Sequence, residues 1–435
     1  MMPSGDRTTP AFATALGYWL RLGLTSFGGP AGQIAMMQSE LVDRRGWIDQ
    51  RRFLEALNFC MLLPGPEAQQ LATFVGWRLH GIRGGLAAGL LFVLPGAVVL
   101  MALSWIAAAH GDVAAVSAVF QGVTPVVVAI IAAALWRIAR RTLTGWAPIA
   151  LAVAAFLGLA VAGVPFPAIV LGAGVIGWIG GRVRPALFGR VPEGEAPPPD
   201  PAGRALARLL RLVAICAVLW AVPVGLVVAL LGSEPWADIA TLFTKAAFVT
   251  FGGAYAVLPY IAEAATGTYG WLSPEDMIRG LALAETTPGP LILVTQFVGF
   301  FAGWSAPGGW PPALAGTVAA LLTLYVTFLP CFLFIFAGAP YVERLSHDRR
   351  AASALGAITA AVVGVILNLG VFLAGAAFWP GAGAGAALTA MPDPFAVAVA
   401  VVALAAMLRF GVAVPWMVLA GAATGLARAA ATGGL

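Results

Sequence analysis

Apolar residues run along the chain in long uninterrupted stretches, at 84–108, 113–136, 146–181, 206–231, 312–339 and 351–378, with short polar gaps between them. A helix of roughly 20 apolar residues crosses the hydrocarbon core of a bilayer, so these runs predict membrane-spanning helices. They lack the two-residue alternation of an outer-membrane strand, which excludes a β-barrel. Two earlier stretches, 11–40 and 53–79, are apolar but broken, the first at Phe27-Gly28-Gly29-Pro30 and the second at Pro64-Gly65-Pro66. Proline removes a backbone donor and clashes with the preceding turn, so an intact helix does not pass through either point. A backbone break at membrane depth is tolerated only against protein or a water-filled cavity.

The breaks occur twice. At an offset of 224 residues Phe27-Gly28-Gly29 falls on Phe251-Gly252-Gly253, Gly46-Trp47 on Gly270-Trp271, and Pro64-Gly65-Pro66 on Pro288-Gly289-Pro290. Three motifs in one register indicate an internal duplication. The echo continues more weakly through Pro95 and Pro330, Gly122 and Gly356, and Val164-Pro165 and Val414-Pro415. Residues 1–185 therefore form a first repeat and 233–435 a second. Between them, 186–232 supplies the Pro-rich stretch "RVPEGEAPPPDPAG" (190–203), read as an exposed linker, and one more apolar helix. That unpaired helix makes the number of crossings between equivalent positions odd. The second repeat is then expected to insert upside down, a common plan among secondary transporters.

Charge orients the chain. Arg137, Arg140, Arg141, Arg182, Arg184, Arg190, Arg204, Arg208, Arg211, Arg344, Arg349 and Arg350 all fall on one face if the plain segments cross, and the positive-inside rule makes that face cytoplasmic. Arg44, Arg45, Arg51 and Arg52, in "ELVDRRGWIDQRRF", join them only if 11–40 and 53–79 are re-entrant hairpins. Each leg of such a hairpin holds roughly 12–15 residues, about 20 Å, enough to reach mid-membrane but not to span. Nine spans with four hairpins are therefore preferred to thirteen spans, with the N-terminus cytoplasmic.

Composition narrows the function. The chain is 435 residues long, 60% hydrophobic and 10% charged, against about 25% charged in soluble proteins. No cleavable signal is evident in "MMPSGDRTTP". The basic balance sets topology and gives no reason to expect nucleic acid. Cys60, Cys216 and Cys331 stand singly in apolar segments, and His80, His110 and His347 lie far apart, so neither a disulfide nor a metal set is expected. No Gly-rich phosphate loop ends in Lys-Ser/Thr, which argues against an ATP-driven pump, and no nucleophile or metal constellation suggests an enzyme or a cofactor.

Chemistry concentrates at the breaks. A helix restarting there aims free N–H groups and its positive dipole end at the break, a seat for an anion. Pro30, Pro66, Ala254 and Pro290 suit the first position of the new helices. The expected substrate-binding set is thus Phe27, Gly28, Gly29, Pro64, Gly65, Pro66, Phe251, Gly252, Gly253, Pro288, Gly289 and Pro290, with Gln69, Gln70 and Thr287 as neutral donors, beside Thr286, Thr295 and Gln296. Arg21 and Lys245, the one lysine of the chain, occupy equivalent positions six residues before each Phe-Gly-Gly. An ionised residue inside an apolar segment is a functional candidate by default, and the alternative is snorkelling to an interface. Glu67 and Glu285 flank the two Pro-Gly-Pro breaks on opposite sides. A partly desolvated carboxylate there can exchange a proton, and the alternative for Glu67 is capping of its helix. Trp47 and Trp271 are read as interfacial anchors.

The segments "FGGPAGQIAMMQSELVDRRGWID", "LPGPEAQQLATFVGWRLHG", "GGLAAGLLFVLPG" and "FVTFGGAYAVLP" with "TTPGP" resemble the chromate transporter family in its long two-domain form, over nearly the whole chain. The resemblance implies chromate export across the bacterial cytoplasmic membrane in exchange for protons, giving chromate resistance. From the residues alone the chain is a secondary transporter for a small oxyanion. Its partners are then the oxyanion, protons and the lipid bilayer, with homodimerisation left open. Sulfate or molybdate, and a channel in place of a transporter, remain alternatives.

Overall fold

The computed structural model describes residues 9–27, 29–111, 113–183, 202–339, 349–380 and 391–433, together with Phe188 and Val342. Gly28, Arg184, Arg190, Arg344, His347 and most of the Pro-rich linker lie outside them. Sixteen α-helices are present among the described residues, and no strand. Seven helices are long and apolar enough to cross a membrane. The chain is an all-α polytopic membrane protein.

The first broken segment consists of α1 (Phe12–Thr25) and α2 (Gly29–Gln38), the latter running into a π-turn at Ser39–Arg44. Had the two helices continued in one direction, Arg45 would lie about 40 Å from Tyr18 at the helical rise. Instead the Arg45 guanidinium stands 5.4 Å from the Tyr18 ring centroid and 5.0 Å from Trp47. The chain folds back at the break. The second segment is α3 (Gln50–Leu62), started by Asp49, whose side chain accepts from the Arg52 N–H, and then α4 (Glu67–His110). Ser273 caps α11 (Pro274–Thr286) in the same way, 224 residues on, accepting from Asp276 N–H. A Ser, Thr or Asp at this position satisfies one orphan donor of the new helix.

Helix α4 has two limbs. His80 (φ −138°) and Gly81 (φ 63°) interrupt it, and the limbs fold against each other so closely that a Cβ on Gly76 would lie 2.4 Å from the Gly84 carbonyl oxygen. The His80 ring meets the start of α1, with Nε2 2.8 Å from the Pro10 carbonyl. The long limb, about 44 Å at the helical rise, ends at Gly111, where a Cβ would lie 3.5 Å from Arg279 Nη1 of α11. Helices α9 (Trp236–Val249), α10 (Ala254–Glu263), α11 and α12 (Val294–Ser305) form the second set of broken segments. Ser305 Oγ donates to the Trp271 carbonyl, which ties the end of α12 to the α10–α11 linker. The start of α1 thus meets the start of the long limb of α4, and α11 meets its end.

The remaining helices are α5 (Ala114–Thr142), α6 (Trp146–Ala160), α7 (Phe166–Val183), α8 (Ala202–Leu231), α13 (Pro312–Gly338), α14 (Arg349–Phe378), α15 (Pro394–Phe410) and α16 (Val414–Ala431). Their packing crosses between the halves: α6 and α7 lie on α14, whereas α15 and α16 lie on α5. Small residues permit this. A Cβ on Gly122 would sit 2.0 Å from the Gly421 carbonyl oxygen, and one on Gly425 would sit 2.0 Å from that of Ala118. At the opposite crossing Ser353 Oγ donates to the Gly177 carbonyl at 2.8 Å. In lipid, helix association relies on such small-residue contacts because no hydrophobic force separates helix from solvent. The connecting helix α8 lies at the edge, with Val218, Val222 and Leu226 exposed.

Candidate functional site

The two halves exchange backbone hydrogen bonds at their breaks. Gly65 N–H donates to the Thr250 carbonyl at 2.7 Å, and Gly289 N–H donates to the Ser26 carbonyl at 3.0 Å. Gly65 and Gly289 are related by the offset of 224, and so are Ser26 and Thr250. Each Pro-Gly-Pro break therefore pairs with the Phe-Gly-Gly break of the other half. A broken helix leaves unpaired N–H and carbonyl groups, and at this depth the partner chain segment is what satisfies them.

Three of the four helices restart as the sequence led us to expect, within one residue. Ala254 opens α10, Pro30 is the second residue of α2 and Pro66 caps α4, whereas Pro290 leads into a 3-10 turn, Leu291–Leu293, and α12 starts only at Val294. Pro64, Gly65, Pro66, Gly253, Pro288, Gly289 and Pro290 are buried, Gly29, Phe251 and Gly252 half-buried, and Phe27 exposed. Phe251 borders an apolar cavity of about 230 Å³ shared with Phe59, Leu63, Leu355 and Ile358.

The neutral polar residues are mostly spent on the backbone. Gln70 Nε2 donates to the Pro64 carbonyl at 2.7 Å, Gln69 Nε2 to Thr73 Oγ1 at 3.1 Å, and Gln296 Nε2 to the Ala97 carbonyl at 2.9 Å. The hydroxyls of Thr286, Thr287 and Thr295 donate to carbonyls of their own turns. Of these, Gln70 and Thr287 close carbonyls left open by the two Pro-Gly-Pro breaks. Arg21 and Lys245 lie on exposed faces of α1 and α9, beside Leu24 and Phe248, and neither forms an ion pair with a described residue. Trp271 is buried and stacks on Tyr269 at 4.4 Å.

Both glutamates gather at one helix start. A Cβ added at Gly253, the residue capping α10, would lie 3.2 Å from Glu67 Oε1. Glu67 Oε2 is shut off from solvent without a hydrogen-bond partner among the described residues. Glu285, in the last turn of α11 and 6% exposed, accepts a short hydrogen bond from the Tyr255 hydroxyl in the first turn of α10. The Arg137 guanidinium on α5 lies within Coulombic reach of both Glu285 and Tyr255. The site therefore holds a positive helix end, two carboxylates and a phenol. A set of this kind can bind an anion and take up or release protons beside it.

Four contributors were not singled out from sequence. Ser26 and Thr250 are equivalent hydroxyl residues next to the Phe-Gly-Gly motifs, so the repeat register itself carries the signal. Gln33, which donates to the Gly289 and Ser26 carbonyls, and Tyr255 have no counterpart in the other half, and only the fold brings them to a break. Arg137 was counted with the topology-setting arginines. Among the described residues no cluster of His, Cys, Asp and Glu suits a metal ion.

The family profile described as "Chromate transporter" matches residues 14–178 and 237–426. The chain is 32% identical over 379 residues to the "Chromate transport protein" of Pseudomonas aeruginosa, an alignment covering 83% of this chain and 82% of the relative. It is 28% identical over 357 residues to the "Probable chromate transport protein" of Synechococcus elongatus, covering 82% and 83%. With the "Chromate transport protein" of Cupriavidus metallidurans it shares 29% over 361 residues, covering 80% of each. No solved structure matches the chain. The four breaks lie inside the matched ranges of the two halves, and the chain belongs to the chromate transporter family.

Proposed function

We propose that the protein is a secondary active transporter that exports chromate, or a closely similar tetrahedral oxyanion, across the bacterial cytoplasmic membrane in exchange for protons, and so gives chromate resistance. The observation that carries this reading is the crosswise pairing of the breaks, two by two, with Glu67 at the cap of α10 and Glu285 bonded to Tyr255 of its first turn. Relatives named as chromate transport proteins support the substrate. In this reading residues 1–185 and 233–435 are inverted repeats, and the N-terminus and the Arg-rich loops are cytoplasmic. Contacts of α1 and α11 with opposite ends of the long limb of α4 agree with that arrangement.

Direction follows from charge. Moving one charge across a membrane is worth about 2.3 kcal/mol per 100 mV, so a dianion leaving an inside-negative cell gains roughly twice that. Export is downhill before any proton moves, and import of the same ion needs several co-transported cations. Protons entering through Glu67 or Glu285 add a pH term. In proteoliposomes with the potential clamped, an imposed pH gradient is expected to drive chromate against its concentration gradient. Failure to do so would leave an electrically driven uniporter or channel. Competition by sulfate and molybdate in inverted vesicles decides between chromate and its isosteres.

Arg21 and Lys245 test a separate part of the reading. If they draw the anion toward the breaks, Arg21→Gln and Lys245→Gln each lower transport about tenfold, the effect of roughly 1.4 kcal/mol, with normal membrane insertion. Lys245→Arg also falls short, because a forked guanidinium does not replace a point ammonium. Wild-type rates in both glutamine variants would make the pair interfacial anchors only.

A further inference from the structure

We propose that Glu67 is an internal anion: its carboxylate holds the seat at the start of α10 that a substrate anion occupies during transport. This rests on the reading of the chain as an oxyanion transporter and applies to either direction of proton movement.

Two positive helix ends share this one carboxylate. Glu67 belongs to the first turn of its own helix, α4, and reaches across to Gly253, the cap of α10. Gly253 has φ 98°, and a Cβ there would stand 3.2 Å from Glu67 Oε1. Only glycine adopts this conformation freely and leaves the approach open. A free anion at a helix N-terminus is bound by the same dipole and N–H groups that the carboxylate now faces.

Capping alone does not account for the geometry. A carboxylate retained for stability is expected to have its buried oxygens paired, since an unpaired one carries its full desolvation cost. Glu67 accepts from its own backbone N–H, as a capping carboxylate does, but its Oε2 is buried without a donor among the described residues, and it forms no ion pair with one. Glu285 differs: its Oε1 accepts from Tyr255. The opposite break differs as well. There, at the offset of 224, Leu291 stands in the place of Glu67, Met61 in that of Glu285 and Ala31 in that of Tyr255. The neutral amide of Gln33 stitches that break shut, donating to Gly289 O at 2.6 Å and Ser26 O at 3.2 Å. One break is a fixed joint and the other is titratable.

Cys60 on α3 lies within Coulombic reach of Glu67, whereas Tyr255 on α10 is bonded to Glu285 on α11, and Arg137 on α5 bears on that pair. From α14 the neighbours of Gly252 are Thr359 and Val362, which carry no charge. An ionised Glu67 and a substrate anion exclude each other from the seat, and protonation of Glu67 frees it. One linked proton changes affinity by up to about tenfold per pH unit.

The test is equilibrium binding of chromate to the purified full chain, wild type and Glu67→Gln, from mildly alkaline to mildly acidic pH. The ratio of variant to wild-type affinity cancels the titration of chromate itself. It is expected to exceed about tenfold at the alkaline end and to approach one in acid. A ratio that stays constant with pH, or lies below one throughout, overturns the internal anion while leaving the transporter reading intact. If Glu67→Gln does not fold, Glu67→Asp keeps the charge but draws it back from Gly253, and the same pH-dependent ratio is expected with smaller amplitude. Absence of chromate binding by the wild type at every pH would instead sink the transporter reading, and the internal anion with it.

Discussion

Glu285→Gln is expected to fold normally and to lose the part of the response to an imposed pH gradient that Glu67 does not carry, while an electrical potential still drives the anion. Glutamine keeps an acceptor for the Tyr255 hydroxyl but cannot take up a proton. Tyr255→Phe works the other way. It leaves a buried carboxylate oxygen of Glu285 without its donor, which costs about 1–3 kcal/mol of stability. Once Glu285 is glutamine the same loss is smaller, so the double variant is expected to be more stable than the sum of the single effects by about 0.5–3 kcal/mol. Denaturation in detergent measures the cycle, and proteoliposome flux under a pH gradient measures the coupling. Full pH-driven flux in Glu285→Gln would reduce the residue to a structural acceptor.

Gly65→Ala is expected to be among the most damaging small substitutions in the chain, and more damaging than the equivalent Gly289→Ala. Both glycines have positive φ, 125° and 97°, and a side chain in such a conformation costs about 1–3 kcal/mol. At Gly65 the new Cβ would also lie 2.7 Å from Gln70 Nε2 and 2.9 Å from Cys331 Sγ. Gln70 is held by its bond to the Pro64 carbonyl, and Cys331 is 1% exposed. Overpacking of this kind adds about 1–3 kcal/mol. At Gly289 the nearest atom is Leu293 Cδ1 at 3.2 Å, the end of a flexible side chain. Thermal unfolding of the two variants gives the comparison, and Cys331→Ala is expected to restore part of the loss at Gly65. Equal destabilisation at both glycines would show that backbone strain alone matters and that the close neighbours can yield.

Sequence reached far into this fold because its signals are local. Proline and glycine mark the breaks whatever surrounds them, and the register of 224 residues sets Asp49 against Ser273 as caps and Gly65 against Gly289 as joints. The same register carries Ser26 and Thr250, whose carbonyls receive the crosswise bonds. What stayed hidden is long-range. Nothing near Tyr255 says that it meets Glu285, thirty positions on, or that Arg137 reaches both. The two glutamates read as one per break, since each flanks a different Pro-Gly-Pro. Crossing of the halves brings them to a single helix start instead, a consequence of topology that no spacing encodes. Gln70 and Thr287 were legible as polar residues in apolar segments but not as donors to orphan carbonyls, because the carbonyls are orphaned only once the helices end where they do.

The crossing of the halves also has a bearing on how the chain is made. Helices α6 and α7 find their mate in α14, and the Gly122 face of α5 finds its mate in Gly421 and Gly425. During synthesis the first half enters the bilayer long before any of these surfaces exists. Its small-residue faces and its open Gly65 joint must remain uncommitted in the lipid until the second half has been inserted. Neither half is then a stage that can be completed separately: the nascent chain closes like a clasp, when its last helices arrive.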